Sequence, residues 1–316
     1  MNTKTQKAGA PGQSPFRGVF SLLLTPFRED KSIDWDSYEQ YVEWQIGTGP
    51  QGLFAVCGSS EMKWLTEAER IELARRAVKI AGDLPVAATA NLLPDLSQHR
   101  DEIRRMADTG VAAVVLVPPS GLGSDQKRLG DYFARLLDES PIPGLIYEWP
   151  MVSPYLIDAP VFGDLAHKHG LAGIKDTTCT MEGIGGKIAA AGNATVFQAN
   201  APFMLDSIRN GAQGVMAIVT TAASDLATGF WRRASAGDYE GAAPLHEQLV
   251  MLDSTLERGG CYPATAKHLC TRRGVRMTLA CRNPAPVRAE SLKAVEVWYA
   301  AARRSGALVE NAIRNP

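Results

Sequence analysis

Two residues stand where they could do chemistry together. Lys175 lies in Gly-Ile-Lys-Asp-Thr-Thr at 173–178, and Tyr147 lies in Leu-Ile-Tyr-Glu-Trp-Pro at 145–150. Each closes a short apolar run of the kind that reads as a buried strand. A lysine amine attacks a ketone only when neutral, and burial lowers its pKa toward the working range. The protonated imine that results is an electron sink for a carbanion on the neighbouring carbon. A tyrosine beside it could shuttle protons during imine formation and C–C or C–O cleavage. The turn Gly58-Ser59-Ser60 offers N–H groups and hydroxyls suited to the carboxylate of a 2-oxo acid. Taken singly, each feature has a bland reading. A lysine near a strand end is usually a solvated charge, a tyrosine in such a run is usually core, and Gly-Ser-Ser is usually just a turn. Position alone leaves a barrel enzyme of unknown reaction.

The elements that must hold these residues are legible as alternating patterns. Strand-like runs at 18–27, 52–57, 85–90, 112–118, 144–150, 171–176, 194–200 and 214–221 alternate with helical patterns. The helices are expected at 32–49, from 66 onward, and at 97–108, 125–138, 158–168, 181–190, 202–210 and 223–235, the one at 181–190 being weak and broken by glycines. Thr66-x-x-Glu69 is a capping box that opens the second helix. Such alternation implies a parallel sheet with right-handed crossovers. Eight units imply an α/β fold of the closed (β/α)8 TIM barrel type. An open doubly wound sheet would usually carry a glycine-rich phosphate loop after its first strand, where this chain has Thr25-Pro26-Phe27. The expected organisation is a disordered arm at 1–15, a barrel at 16–236 and a C-terminal helical extension at 237–316.

Barrel active sites lie at the C-terminal ends of the strands. Those ends supply Thr25, then Cys57 to Glu61, Asn91, and Pro118 to Ser120. The later strands supply Tyr147 and Glu148, Lys175 to Thr177, Gln198 and Asn200, and Thr220 and Thr221. None is a histidine: the five are His99, His167, His169, His246 and His268, all on helical patterns or the tail. Acidic strand ends are few and no phosphate cradle appears, so neither a metal nor a cofactor is expected. The formal net charge of −1 argues against nucleic acid and anionic membrane as partners. No apolar run reaches the length of about 18 residues that spans a bilayer. Five cysteines, none in CxxC spacing, suit a reducing cytoplasm.

At these residues the sequence resembles the dihydrodipicolinate synthase / N-acetylneuraminate lyase superfamily of class I, Schiff-base aldolases. The likeness covers about 18–300 and begins with Leu-Leu-Leu-Thr-Pro-Phe at 22–27. Gly-Ser-Ser-Glu at 58–61 and Leu-Thr-Glu-Ala-Glu-Arg at 65–70 are similar to a family signature. The family tyrosine, in Y-x-x-P, falls on Tyr147 with Pro150, and the family lysine on Lys175, 28 positions later. Gly-Ala-Gln-Gly-Val-Met-Ala-Ile at 211–218 resembles the family's eighth-strand motif. The resemblance implies that Lys175 forms a Schiff base, that Tyr147 handles protons, and that Gly58, Ser59, Ser60, Thr25, Asn200 and Met216 meet the substrate. It implies a small 2-oxo acid such as pyruvate as substrate, no metal, and a homotetramer or homodimer.

Three departures bear on the substrate. The second-strand motif lacks one glycine, so either Gly58 and Ser59 or Ser59 and Ser60 take the paired hydroxyl positions. The synthase's second tyrosine after strand 4 is replaced by Pro119 and Ser120, which removes its proton relay. The synthase's arginine after Y-x-x-P is absent from Tyr-Glu-Trp-Pro-Met-Val-Ser-Pro at 147–154. These departures favour cleavage, condensation or dehydration of a 2-oxo-3-deoxy acid. Synthesis from pyruvate and an amino-aldehyde, and a non-catalytic 2-oxo-acid sensor, are the alternatives.

Overall fold

The computed structural model describes Ser14, residues 16–122 and residues 125–308. Eight parallel strands close into a barrel in sequence order: β1 (Gly18–Leu22), β2 (Gly52–Val56), β3 (Val86–Ala90), β4 (Ala113–Leu116), β5 (Gly144–Tyr147), β6 (Gly173–Asp176), β7 (Thr195–Gln198) and β8 (Gly214–Val215). Every strand position is buried, as a barrel wall filled from inside and covered by helices outside requires. The helices that follow β1 to β8 are α1 (Trp35–Gly47), α2 (Glu67–Ala81), α3 (His99–Ala107), α4 (Gln126–Asp138), α5 (Ala159–Lys168), α6 (Met181–Ala190), α7 (Met204–Arg209) and α8 (Thr220–Ala234). The expected arm at 1–15 lies outside the described residues apart from Ser14.

Local chemistry starts these helices where the sequence marks them. Asp34, Asp125 and Thr180 each accept a backbone N–H in the first turn of α1, α4 and α6. The capping box is formed: the Thr66 hydroxyl accepts from Glu69 N, and the Glu69 carboxylate accepts from Thr66 N. The glycine-rich α6 is an unbroken helix. Its small residues let it lie close against α5, where a methyl group at Gly163 would sit 3.1 Å from the Ala190 Cβ. Strand β6 also needs its leading glycine, since a Cβ at Gly173 would sit 2.6 Å from the Thr195 carbonyl oxygen.

The eighth strand is shorter than its apolar run suggests. The chain turns after Val215, and Thr220 and Thr221 enter the first turn of α8. There the Thr220 hydroxyl accepts from Leu22 N and reaches the Ala217 carbonyl, 3.0 and 2.7 Å away. A side chain expected at a strand end is used to fasten α8 to β1.

Beyond the barrel lie three helices, α9 (Tyr239–Leu256), α10 (Tyr262–Arg272) and α11 (Ala289–Arg304). Ion pairs bind this extension to the barrel. Arg273 meets Asp225 on α8 through two hydrogen bonds of 2.9 and 2.7 Å. Lys267, fully buried, donates to Glu61 at 3.0 Å, and Glu61 also accepts from the backbone of Arg282 and Asn283. The extension is therefore seated directly on the loop that follows β2. Among the described residues no helix is long and apolar enough to cross a membrane.

Candidate active site

Three lysines are buried among the described residues, and their surroundings differ. Lys187 on α6 is 2% exposed and donates to Asp176 at 2.8 Å and to Glu148. Lys267 is 0% exposed and holds Glu61. Lys175, 4% exposed at the end of β6, has no carboxylate partner among the described residues. Its nitrogen lies 3.9 Å from the centre of the Tyr147 ring and 5.8 Å from that of Phe54. Burial against these faces brings its pKa down from the usual lysine value to about 8. The other two lysines balance buried carboxylates; Lys175 is buried with none to balance.

Parallel pairing of β5 with β6 puts Tyr147 directly beside Lys175. Burial pushes the Tyr147 phenol well above its ordinary range, so it stays protonated. Its ring packs edge-on against Phe54 of β2. Its hydroxyl reaches toward the turn after β2, where a methyl group at Gly58 would lie 3.3 Å from it. The same point is 3.7 Å from the Tyr262 hydroxyl and 3.8 Å from Trp149 Nε1. Three polar groups thus converge on one face of Gly58, where an added methyl group would press on the Tyr147 hydroxyl.

The turn itself divides into a used half and an open half. Ser60 is buried with its hydroxyl within 2.6 and 2.8 Å of the Leu23 and Ala55 carbonyls. The Thr25 hydroxyl donates to the Ser60 carbonyl at 2.8 Å. The N–H groups of Ser60 and Glu61 bond back to Cys57 and Gly58. The N–H groups of Gly58 and Ser59, by contrast, have no partner among the described residues. The Ser59 hydroxyl accepts from Tyr262 at 3.1 Å. Of the remaining candidates, Met216 is buried just beyond β8, and Asn200 follows β7 with its side-chain Nδ2 buried and unpartnered. Pro119 and Ser120, past the end of β4, are half-buried and exposed.

Behind the lysine runs a buried ionic brace. Glu148 accepts from the backbone of Ile157 and Thr177 and from Lys187. Asp176 shares Lys187 and accepts from Thr178. Glu148 is therefore a strut between β5, β6 and α6. In front, the extension contributes Asp253 and Glu257 at the end of α9. Burial, aided by the Glu257 charge, raises the Asp253 carboxyl to about 7. The Glu257 charge also bears on Tyr147, Tyr262 and Cys179.

Sequence reasoning does not reach Tyr262, Lys187 or the acidic pair. Tyr262 stands in Gly-Gly-Cys-Tyr-Pro, which signals only a loop and a helix start. Its partner Ser59 lies 203 positions earlier, and no local pattern links them.

The chain is similar to known proteins along most of its length. The model of the dihydrodipicolinate synthetase family matches residues 15–301. The 4-hydroxy-tetrahydrodipicolinate synthase of Rhizobium meliloti (strain 1021) is 30% identical over 283 residues, which span 85% of this chain and 92% of that protein. Its namesake from Chelativorans sp. (strain BNC1) is 28% identical over 285 residues, 85% of this chain and 92% of that protein. A structure described as the first monomeric dihydrodipicolinate synthase variant superposes with a TM-score of 0.86 at 20% identity, covering 95% of this chain and 100% of that one. YagE of Escherichia coli K12, a member of the dihydrodipicolinic acid synthase family in complex with pyruvate, gives 0.81 at 18% identity, covering 92% and 98%. The structural likenesses establish the barrel with its extension, and the family model establishes descent. The chain belongs to the dihydrodipicolinate synthetase family, the family of Schiff-base lyases whose lysine and tyrosine motifs it carries.

Proposed function

We propose that the protein is a lyase whose Lys175 forms a Schiff base with pyruvate or a related 2-oxo acid. The observation that carries this reading is the buried, uncharged setting of Lys175 beside Tyr147, with two unpaired N–H groups across from them. The amine adds to the ketone carbon, and the carbinolamine loses water with a proton from Tyr147. The open half of the turn, Gly58 N–H and Ser59 N–H, receives the carboxylate. Thr25 and Ser60 shape that turn through their hydrogen bonds, and Asn200 Nδ2 is a donor awaiting a substrate oxygen. Of the two registers the sequence leaves open, this reading takes Gly58 and Ser59.

The second substrate meets Trp149, Asp253 and Glu257. Carboxylates at the mouth repel an acidic aldehyde and accept hydrogen bonds from hydroxyls. Aldol cleavage, condensation or dehydration of a 2-oxo-3-deoxy acid therefore fits best. Dihydrodipicolinate-type synthesis is the second reading, favoured by the names of the relatives; turnover of pyruvate with an amino-aldehyde distinguishes it. The expected assembly is a homotetramer or homodimer. The cytoplasm is the expected location, in keeping with five free thiols.

The test is borohydride reduction in the presence of pyruvate, followed by intact mass and peptide mapping. A reduced pyruvyl adduct on Lys175, absent from Lys175→Ala, is the expected result. An adduct that persists in Lys175→Ala, or none with pyruvate or any of a panel of 2-oxo acids, would overturn the assignment.

A further inference from the structure

Imine chemistry needs protons to enter and leave a site that is closed to water. The lysine and tyrosine are buried, and the strand-4 position that carries a relay tyrosine in the resembling synthases holds Pro119 and Ser120. Neither residue bonds to the Lys175 cluster: Ser120 is exposed and proline has no donor. The structure places another phenol at the site. Tyr262, the first residue of α10, donates its hydroxyl to Ser59 Oγ at 3.1 Å. Ser59 is fully buried and Tyr262 is half-buried, so the pair steps outward from the pocket. The hydroxyls of Tyr147 and Tyr262 crowd the same open face of Gly58, at 3.3 and 3.7 Å from a Cβ position there.

The position of Tyr262 is built in. Cys261 N bonds to the Pro286 carbonyl at 2.9 Å, fixing the entry to α10. One helical stretch further on, Lys267 bonds Glu61, which closes the same β2 turn that holds Ser59. The two ends of the Tyr262–Ser59 contact are thus tied together independently of the contact itself. A merely space-filling tyrosine would not need its hydroxyl aimed at the one serine of the turn whose hydroxyl makes no bond to backbone.

We propose that Tyr262, supplied by the C-terminal extension of the same chain, is the outer member of a proton relay Tyr262–Ser59–Tyr147 that replaces the missing strand-4 tyrosine. Tyr262 acts through Ser59 and is a positioning and relay residue. The inference rests on the reading of Lys175 as the imine-forming lysine. In the inward direction Tyr262 passes a proton to Ser59 along their hydrogen bond; the Ser59 hydroxyl, which makes no hydrogen bond to Tyr147 in this structure, rotates to pass its own proton to Tyr147, and Tyr147 protonates the departing carbinolamine hydroxyl, which leaves as water. Tyr262 is reprotonated from solvent at the mouth. In the outward direction the C3–H bond of the pyruvyl imine breaks and its electron pair forms the C2–C3 double bond, neutralising the iminium nitrogen. The proton leaves along the same hydroxyls after they rotate.

The test uses the full chain and pyruvate alone, so it needs no second substrate. In D2O, exchange of the pyruvate methyl protons is followed by 1H NMR at saturating pyruvate, and the full extent of borohydride trapping is measured in parallel. Tyr262→Phe keeps the ring and removes the hydroxyl. The expected result is full trapping with saturated exchange slowed about 10²-fold. Ser59→Ala interrupts the relay at its centre and is expected to slow saturated exchange comparably, whatever it does to half-saturation. Exchange at the parental rate in either folded variant, or an effect of Tyr262→Phe confined to half-saturation, would overturn the relay. Absence of trapping in the parent overturns the Schiff-base reading itself and is thereby told apart from failure of the relay.

Discussion

At the scale of the residue, the cost of Lys175 is the clue to its use. An ammonium buried without a counter-charge disfavours its own protonation, which is why the amine comes down to about 8. Two consequences follow in opposite directions. The rate of imine formation with pyruvate rises about tenfold per pH unit below 8 and levels off above it, as the neutral amine fills in; pH-resolved trapping kinetics measure this. A flat profile from pH 6 to 9 would contradict the assignment. Stability carries the same signature. The folded protein releases this proton near pH 8 and the unfolded chain near the ordinary lysine value of 10.5. Between those values the unfolded chain binds more protons, so the contribution to stability increases with pH through that window and is smallest below it, by about 3 kcal/mol. Lys175→Met removes the charge and is expected to be more stable than the parent at pH 7 by up to about 3 kcal/mol, with the difference shrinking by pH 9.5. Urea unfolding at the two pH values checks it.

At the scale of the element, strands and helices were legible where their signal is local. The apolar runs, the capping box and the proline- and glycine-marked breaks all depend on neighbours within a few positions. The (β/α)8 order followed from them. What escaped depends on contacts across the barrel. The run at 214–221 continues past β8 because Thr220 is recruited by Leu22 N, an event that hydrophobic pattern does not encode. The glycines of α6 read as breakage, yet the helix is continuous, and at Gly186 it lies close to Ala159 of α5. Glu148 read only as a strand-end acid beside Tyr147; it is the strut that receives Lys187. Spacing located Lys175 and Tyr147 because adjacent parallel strands convert a fixed sequence interval into one shared register. These struts predict a clear stability pattern. Lys187→Met leaves Glu148 and Asp176 buried together without a cation, and Lys267→Met leaves Glu61 so. Each is expected to cost about 3–5 kcal/mol, read as a lower urea midpoint. Exposed pairs such as Lys127–Asp131 are expected to contribute under about 1 kcal/mol when Lys127 is changed to Met.

At the scale of the whole molecule, the helical extension is part of the site. It delivers Tyr262 to Ser59, brings the Glu257 charge to bear on Tyr147 and Tyr262, and clamps the β2 turn through Lys267 and Glu61. Every group assigned here a role in binding, imine formation or proton transfer therefore lies on one chain. A relay that draws its outer phenol from its own polypeptide does not depend on assembly, even if the protein forms dimers or tetramers. Specific rates of pyruvate methyl exchange are accordingly expected to stay constant on dilution through the concentration range where sedimentation velocity shows the subunits separating. The mass distribution and the exchange rate are to be measured on the same samples. A rate that falls in step with dissociation would mean that a neighbouring subunit completes the site, and that Tyr262 is not sufficient as its outer phenol. A constant rate, together with slowed exchange in Tyr262→Phe at every concentration, would place the whole relay within the single chain.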